Sequence, residues 1–230
     1  GMPRGTTGVT PADIQDLEFR GAIAFTDPIK PSTFHAVEMA RELGVAIKII
    51  TGDSAEVAGA VGMEIGLIRD PGMVITGAAL MALPPYEREQ AMHEHAVFAR
   101  VTPEQKYEII QTLQRTRTVG FLGEGINDAP ALKLAGVSLV VESAADIARE
   151  AADIILLQKN LEVIIEGIRS GRAVFANSVK YLKATLSSNF GNFYAIAIVS
   201  LFIPFLPMLP LQILLVNLLS DFPMISIATD

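Results

Sequence analysis

The 230-residue chain contains no cysteine and no tryptophan, and only three histidines. Without cysteine there is no disulfide scaffold, no thiolate catalysis and no Cys-based zinc or iron–sulfur site. Positive charge is also scarce: 18 Lys and Arg face 25 Asp and Glu, for a net charge of −7, and no block of basic residues occurs. A nucleic-acid binder needs clustered cations to neutralise phosphates, so that class is excluded. A nucleotide stays compatible, because backbone N–H groups and one or two cations can hold it. His93 and His95 lie two apart with no third ligand nearby, and read as a solvated helix or turn rather than a metal site. No N-terminal signal peptide is visible, and Gly1-Met2 reads as an expression remnant.

Half of the residues are hydrophobic, too many for a disordered chain. The average conceals an uneven distribution. From Ala184 to Ser220 there is no Asp, Glu, Lys, Arg or His, so all 18 basic residues and 23 of the 25 acidic ones lie before residue 184. This charge-free run exceeds the roughly 20 residues of one bilayer crossing. Pro204, Pro207 and Pro210 divide it, which predicts a hairpin of two membrane spans, about 184–203 and 211–228. Arg169, Arg172, Lys180 and Lys183 flank the first span and place the preceding domain in the cytoplasm. A buried soluble hairpin is the alternative.

Residues 1–17 are polar and read as a linker. Between 18 and 160, short apolar runs alternate with stretches of helical spacing. Strands are predicted at 21–25, 45–50, 97–99, 118–122, 137–141 and 153–157. Helices are predicted at 32–43, 56–65, 103–116, 129–135 and 143–152, with Ser32 or Thr33 capping the first and a Pro/Gly-punctuated stretch at 70–86 between. Such alternation predicts an α/β fold with a parallel sheet, whose ligands bind at the carboxyl ends of the strands. A helix over 161–183 then leads into the charge-free run.

Two polar segments fall at those strand ends. In Gly123-Glu-Gly-Ile-Asn-Asp128 the glycines allow close approach to a phosphate, and the carboxylates of Glu124 and Asp128 suit Mg²⁺. In Thr51-Gly52-Asp53 a hydroxyl and an N–H can donate to a phosphoryl oxygen. Each alone is equally compatible with an ordinary turn or helix cap. Lys106, in the first turn of the helix opening at Pro103, and Arg100 before it are candidate phosphate-binding charges, with a plain surface lysine as the alternative.

The order of these segments is more specific than any one of them. Asp27-Pro28, Thr51-Gly-Asp53, Phe98-Ala-Arg-Val-Thr-Pro-Glu-Gln-Lys106 and Gly123-Glu-Gly-Ile-Asn-Asp-Ala-Pro-Ala-Leu132, followed by a long helix, resemble a P-type cation-transporting ATPase. The resemblance covers nearly all of residues 17–230. It implies the second half of a haloacid-dehalogenase-like phosphorylation domain, a Rossmann-like parallel sheet, followed by membrane helices five and six.

By this resemblance Thr51, Gly52 and Asp53 contact phosphate and nucleotide, Arg100 the nucleotide, and Lys106 the transferred phosphoryl group. Asn127 lies near phosphate and Asp128 supports Mg²⁺. ATP and Mg²⁺ are the implied cofactors. The implied partners are the remainder of the pump, membrane lipid and the transported cation. Two departures stand out. Position 124 is Glu where the family has Asp, and the Asp-Lys-Thr-Gly nucleophile motif is absent, so the chain is expected to be inactive alone. Asp27 matches the family's later Asp-Pro element rather than the nucleophile.

Polar residues inside a span mark an ion path. Asn189 and Asn192 in the first span, with Asn217, Ser220 and Asp221 in the second, are candidate oxygen ligands for a transported cation, with helix–helix hydrogen bonding as the alternative. By resemblance the sixth-helix residues match calcium-type pumps, whereas Ser188-Asn-Phe-Gly-Asn192 and the proline segment lie closer to the magnesium-transporting branch. Magnesium is favoured. Two rival readings are a non-catalytic, membrane-anchored regulatory fragment or pseudo-subunit and a soluble phosphatase of the same fold; the missing Asp-x-Asp nucleophile argues against the second.

Overall fold

The computed structural model describes Gly21 and residues 28–225. The predicted strand at 21–25, from residue 22 on, and Asp27 therefore lie outside the described residues. Twelve residues, Pro31–Glu42, form α1; its N-cap is Lys30 rather than Ser32 or Thr33, because Pro31 takes the first helical position, where no N–H is needed. Strand β1 (Ile49–Ile50) is shorter than the predicted 45–50. It is followed by α2 (Ala55–Glu64), whose first turn is capped by the Ser54 hydroxyl accepting from Val57 N–H.

The punctuated stretch at 70–86 is ordered. Asp70 caps a 3₁₀ turn at Pro71–Met73, then come β2 (Val74–Thr76), α3 (Gly77–Ala82) and α4 (Pro85–Glu94). His93 therefore lies on a helix and His95 at its end. Next are β3 (Val97–Ala99), α5 (Pro103–Gln114), β4 (Gly120–Gly123), a 3₁₀ turn at Ile126–Asp128 and α6 (Ala129–Leu134). The α/β part closes with β5 (Val137–Val141), α7 (Asp146–Ala151) and β6 (Ile154–Leu156).

Among the described residues all strand pairings are parallel, as expected, and the strands form two three-stranded sheets, in orders β1-β3-β2 and β4-β5-β6. Among the described residues, β1 and β4 each stand at the edge of a sheet and each runs into one of the candidate phosphate segments. Helix α5 packs Ile109 and Leu113 on Phe98, Leu80 and Met92 under the first sheet, and lies against α6 of the second. Leu132, Leu139, Val140 and Leu156 make the second core.

A third cluster fastens the final helices to this body. The small residues Ala36 and Ala40 of α1 are fully buried against Ile165 of α8 (Leu161–Ser200). His35 bonds Glu162 at 2.9 Å, and Arg172 donates to the Leu43 carbonyl at the end of α1. The Ala40→Leu substitution should cost about 1–3 kcal/mol by overpacking this seam, read as a lower urea midpoint; an unchanged midpoint would show that the seam is loose.

The expected helix from 161 runs on without interruption into the uncharged segment as the 40-residue α8. A proline-rich connection leads to α9, Pro210–Ile225, with 16 residues. Both helices of the expected hairpin are present, but among the described residues no helix is long and apolar enough to cross a membrane. In α8 the uncharged part, 184–200, is diluted by Ser187, Ser188, Asn189 and Asn192, and the 16 described residues of α9 are fewer than the roughly 20 of one crossing.

Candidate functional site

The turn at Thr51–Asp53 is held by its own side chains. The Thr51 hydroxyl donates to Asp53 Oδ2 at 2.7 Å while accepting from the Asp53 N–H at 3.1 Å. Two backbone bonds strap this turn to the segment after β3: Arg100 N–H donates to the Asp53 carbonyl and Val101 N–H to the Thr51 carbonyl. Gly52 and Asp53 are exposed.

Arg100 has φ 50, the left-handed region that a branched or long side chain seldom enters. The conformation is braced from both sides. Thr102 and Gln105 form a reciprocal capping box at the start of α5: Thr102 Oγ1 accepts from Gln105 N–H, and Gln105 Oε1 accepts from Thr102 N–H at 2.9 Å. Gly77, the first residue of α3, lies so close that a Cβ would sit 2.1 Å from Gln105 Oε1 and 2.8 Å from the Arg100 carbonyl. Sequence reasoning missed both residues. The Thr-x-x-Gln spacing announced the cap, whereas nothing local marks Gly77.

One turn into α5, Lys106 reaches across to the second sheet. Its Nζ lies 2.8 Å from Asp128 Oδ1, with both side chains about six-sevenths buried. The other oxygen, Oδ2, accepts from the N–H groups of Glu124 and Gly125 at 3.3 and 3.2 Å. Gly123 makes room, since a Cβ there would lie 2.9 Å from the Asp128 Cβ. Burial pushes the Asp128 carboxyl up, but the Lys106 ammonium and the Gly125 and Glu124 N–H groups outweigh it and hold it below the ordinary carboxylate range.

These contacts set Thr51–Asp53 against Arg100 and Val101, and Lys106 against Asp128, in a line that runs along the chain from Arg100 to Lys106 between the two strand ends. Two predicted residues stand apart. Asn127 is exposed, and Glu124 turns to Lys159, its carboxylate 3.3 Å from the ammonium with both side chains half exposed. On the final helices, Asn189 and Asn217 are exposed, Asn192 is half-buried, and the Ser220 hydroxyl is spent on the Val216 carbonyl of its own helix. The Asp221 side chain lies outside the described part of the structure. Among the described residues no three His, Cys, Asp or Glu side chains gather as a metal-ligand group.

With this geometry in view, the family is clear. Residues 5–136 match the haloacid dehalogenase-like hydrolases, and the chain belongs to that family. Its similarity is to one section of P-type ATPases. The chain is 48% identical over 220 residues to a magnesium-transporting ATPase, P-type 1, of Escherichia coli, which covers 95% of this chain and 24% of that protein. It is 33% identical over 231 residues to a calcium-transporting ATPase of Listeria monocytogenes, covering 100% of this chain and 26% of the relative. A zinc-transporting PIB-type ATPase in its E2.Pi state shares the fold, with TM-score 0.64 and 23% identity over 88% of this chain and 27% of that one. The chain thus spans about a quarter of the length of the relatives it matches.

Proposed function

We propose that this chain is a section of an ATP-driven P-type cation pump, and that the line from Thr51 to Asp128 is the phosphoryl-binding half of its catalytic site. The observation that carries the reading is the Lys106–Asp128 pair, which brings the ends of two separate sheets to one place. The attacking aspartate comes from the remainder of the pump. Its carboxylate attacks the γ-phosphorus of ATP, and ADP leaves as the aspartyl phosphate forms.

Lys106 neutralises the phosphoryl oxygens, and the Thr51 hydroxyl and Gly52 N–H donate to them, which is positioning and charge stabilisation rather than covalent chemistry. Asp53 holds the Thr51 hydroxyl in place, Arg100 contacts the nucleotide and Asn127 the phosphate. Glu124 and Asp128 suit Mg²⁺: both are hard oxygen donors in one glycine turn, Glu124 is accessible, and Asp128 Oδ1 retains a lone pair beside its bond from Lys106, whereas Oδ2 is taken by two N–H groups. When bound, Mg²⁺ supplies charge neutralisation on the phosphate oxygens.

The final helices are read as a membrane hairpin packed against other helices of the pump, with the α/β part in the cytoplasm. Large apolar side chains stand uncovered along them, among them Phe190, Phe193, Leu211 and Leu214. Asn189, Asn192, Asn217, Ser220 and Asp221 are the proposed ligands of the transported cation. Magnesium is favoured, in keeping with the names of several relatives.

The test is co-expression of this chain with the N-terminal remainder of a related pump. An acid-stable, hydroxylamine-sensitive phosphoenzyme is expected. Its absence, persisting in Glu124→Asp, would overturn the reading in favour of a non-catalytic, membrane-anchored regulatory fragment, a role that the diversion of Glu124 toward Lys159 favours.

A further inference from the structure

Lys159 is the last residue but one before α8, followed by the N-cap Asn160. It is 35 positions from Glu124 in sequence, yet its ammonium lies 3.3 Å from the Glu124 carboxylate. Its backbone carbonyl in turn accepts from the Lys30 ammonium at 3.1 Å, at the start of α1. These residues line a cleft of about 190 Å³ at the carboxyl ends of β4, β5 and β6, with Ser32, Thr33 and Asn160 on its wall.

Only the longer side chain at position 124 makes this contact relevant. The Glu124 N–H still bonds Asp128, so the backbone keeps the turn, while the extra methylene lets the carboxylate swing toward the second sheet's far strand. A carboxylate shared with an ammonium is a poorer ligand for Mg²⁺. The ammonium competes for the oxygen lone pairs and sets a second positive charge beside the ion.

We propose that Lys159 is a built-in competitor for the metal at Glu124, so that Mg²⁺ entering the glycine turn displaces the lysine and frees the segment that starts α8. The inference rests on the reading of Glu124 as a Mg²⁺ ligand. Lys159 acts through Glu124 and is a positioning residue, touching neither phosphate nor nucleotide. Occupancy of the turn is thereby linked to the root of the longest helix without any contact between α8 and the phosphoryl group.

The test is Mg²⁺ binding to the full chain by calorimetry, with Mg²⁺ alone as the probe. Lys159→Gln should tighten binding about two- to fivefold, the range set by a half-exposed ion pair. In the Glu124→Gln background the same change should do nothing. Lys30→Gln, which removes a charge from the same cleft without touching Glu124, separates competition from general electrostatics and should tighten binding less. If Lys159→Gln leaves affinity unchanged, or acts equally in the Glu124→Gln background, or is matched by Lys30→Gln, the competition is overturned while the ligand reading stands. If Glu124→Gln binds Mg²⁺ as well as the parent chain, or no variant binds it, the ligand reading itself fails.

Discussion

Lys106→Met, in the pump assembled from both parts, should lower phosphoenzyme formation by about 10²–10³-fold, the usual effect of removing one preorganised charge from a developing transition state. The same substitution leaves Asp128 buried with only backbone donors, and this gives a second signature in the chain alone. With Lys106 present the folded-state pKa of Asp128 lies below its unfolded value. A depressed carboxyl contributes stability that is present above the ordinary pKa and is lost as pH falls through the depressed one. Without the ammonium, burial pushes the carboxyl back up and that contribution shrinks. Urea unfolding should therefore separate parent from variant at pH 7, and the gap should close below about pH 4. A gap independent of pH would mean that the lysine acts through packing and not through Asp128.

Gly77→Ala carries the second large effect. The new methyl would meet the Gln105 amide oxygen at 2.1 Å and the Arg100 carbonyl at 2.8 Å. Gln105 can rotate away by giving up its bond to Thr102, but the carbonyl is backbone and must shift. Overpacking of this kind costs about 1–3 kcal/mol. The displaced Arg100 turn also pulls on both straps of the Thr51–Asp53 segment. Nucleotide affinity of the assembled pump should fall more than stability alone explains. The comparison is Gln105→Ala, which loses the cap and leaves Gly77 clear of Arg100; equal losses of affinity in the two variants would sink the idea that Gly77 protects the turn.

How far the sequence foretells this arrangement depends on the length of the pattern that carries it. Helix α5 and strand β5 are legible because each has an unbroken apolar rhythm, Ile109, Ile110 and Leu113 in one case and Val137–Val141 in the other. Strand β2 and helices α3 and α4 are not. Three residues of strand are too short for a period, and α4 begins with two prolines and buries only Ala91 and Met92. The strand orders β1-β3-β2 and β4-β5-β6 seen among the described residues were hidden as well, since hydrophobic runs look alike whatever their neighbours.

The site is uneven in the same way. Thr51, Gly52, Asp53, Arg100, Lys106 and Asp128 could be picked out because motif spacing along the chain names them. Their partners are another matter. That Lys106 meets Asp128 requires α5 to dock on α6, and that Glu124 meets Lys159 requires β6 to lie beside β5. Both are products of tertiary pairing, which acts over sequence separations of 22 and 35 residues. Neither separation has a local signature.

Helix α8 has a mechanical consequence. At 1.5 Å per residue its 40 residues make a rod of about 60 Å, and tilting a rod of that length by about 5° sweeps the far end through about 5 Å. Its near end is gripped over three turns by α1, through Glu162, Ile165 and Arg172. A rearrangement at the grip too small to break a hydrogen bond is therefore magnified at the other end into a displacement of about 5 Å. The rod is a lever with its fulcrum at two small, fully buried side chains, Ala36 and Ala40, which leave little play.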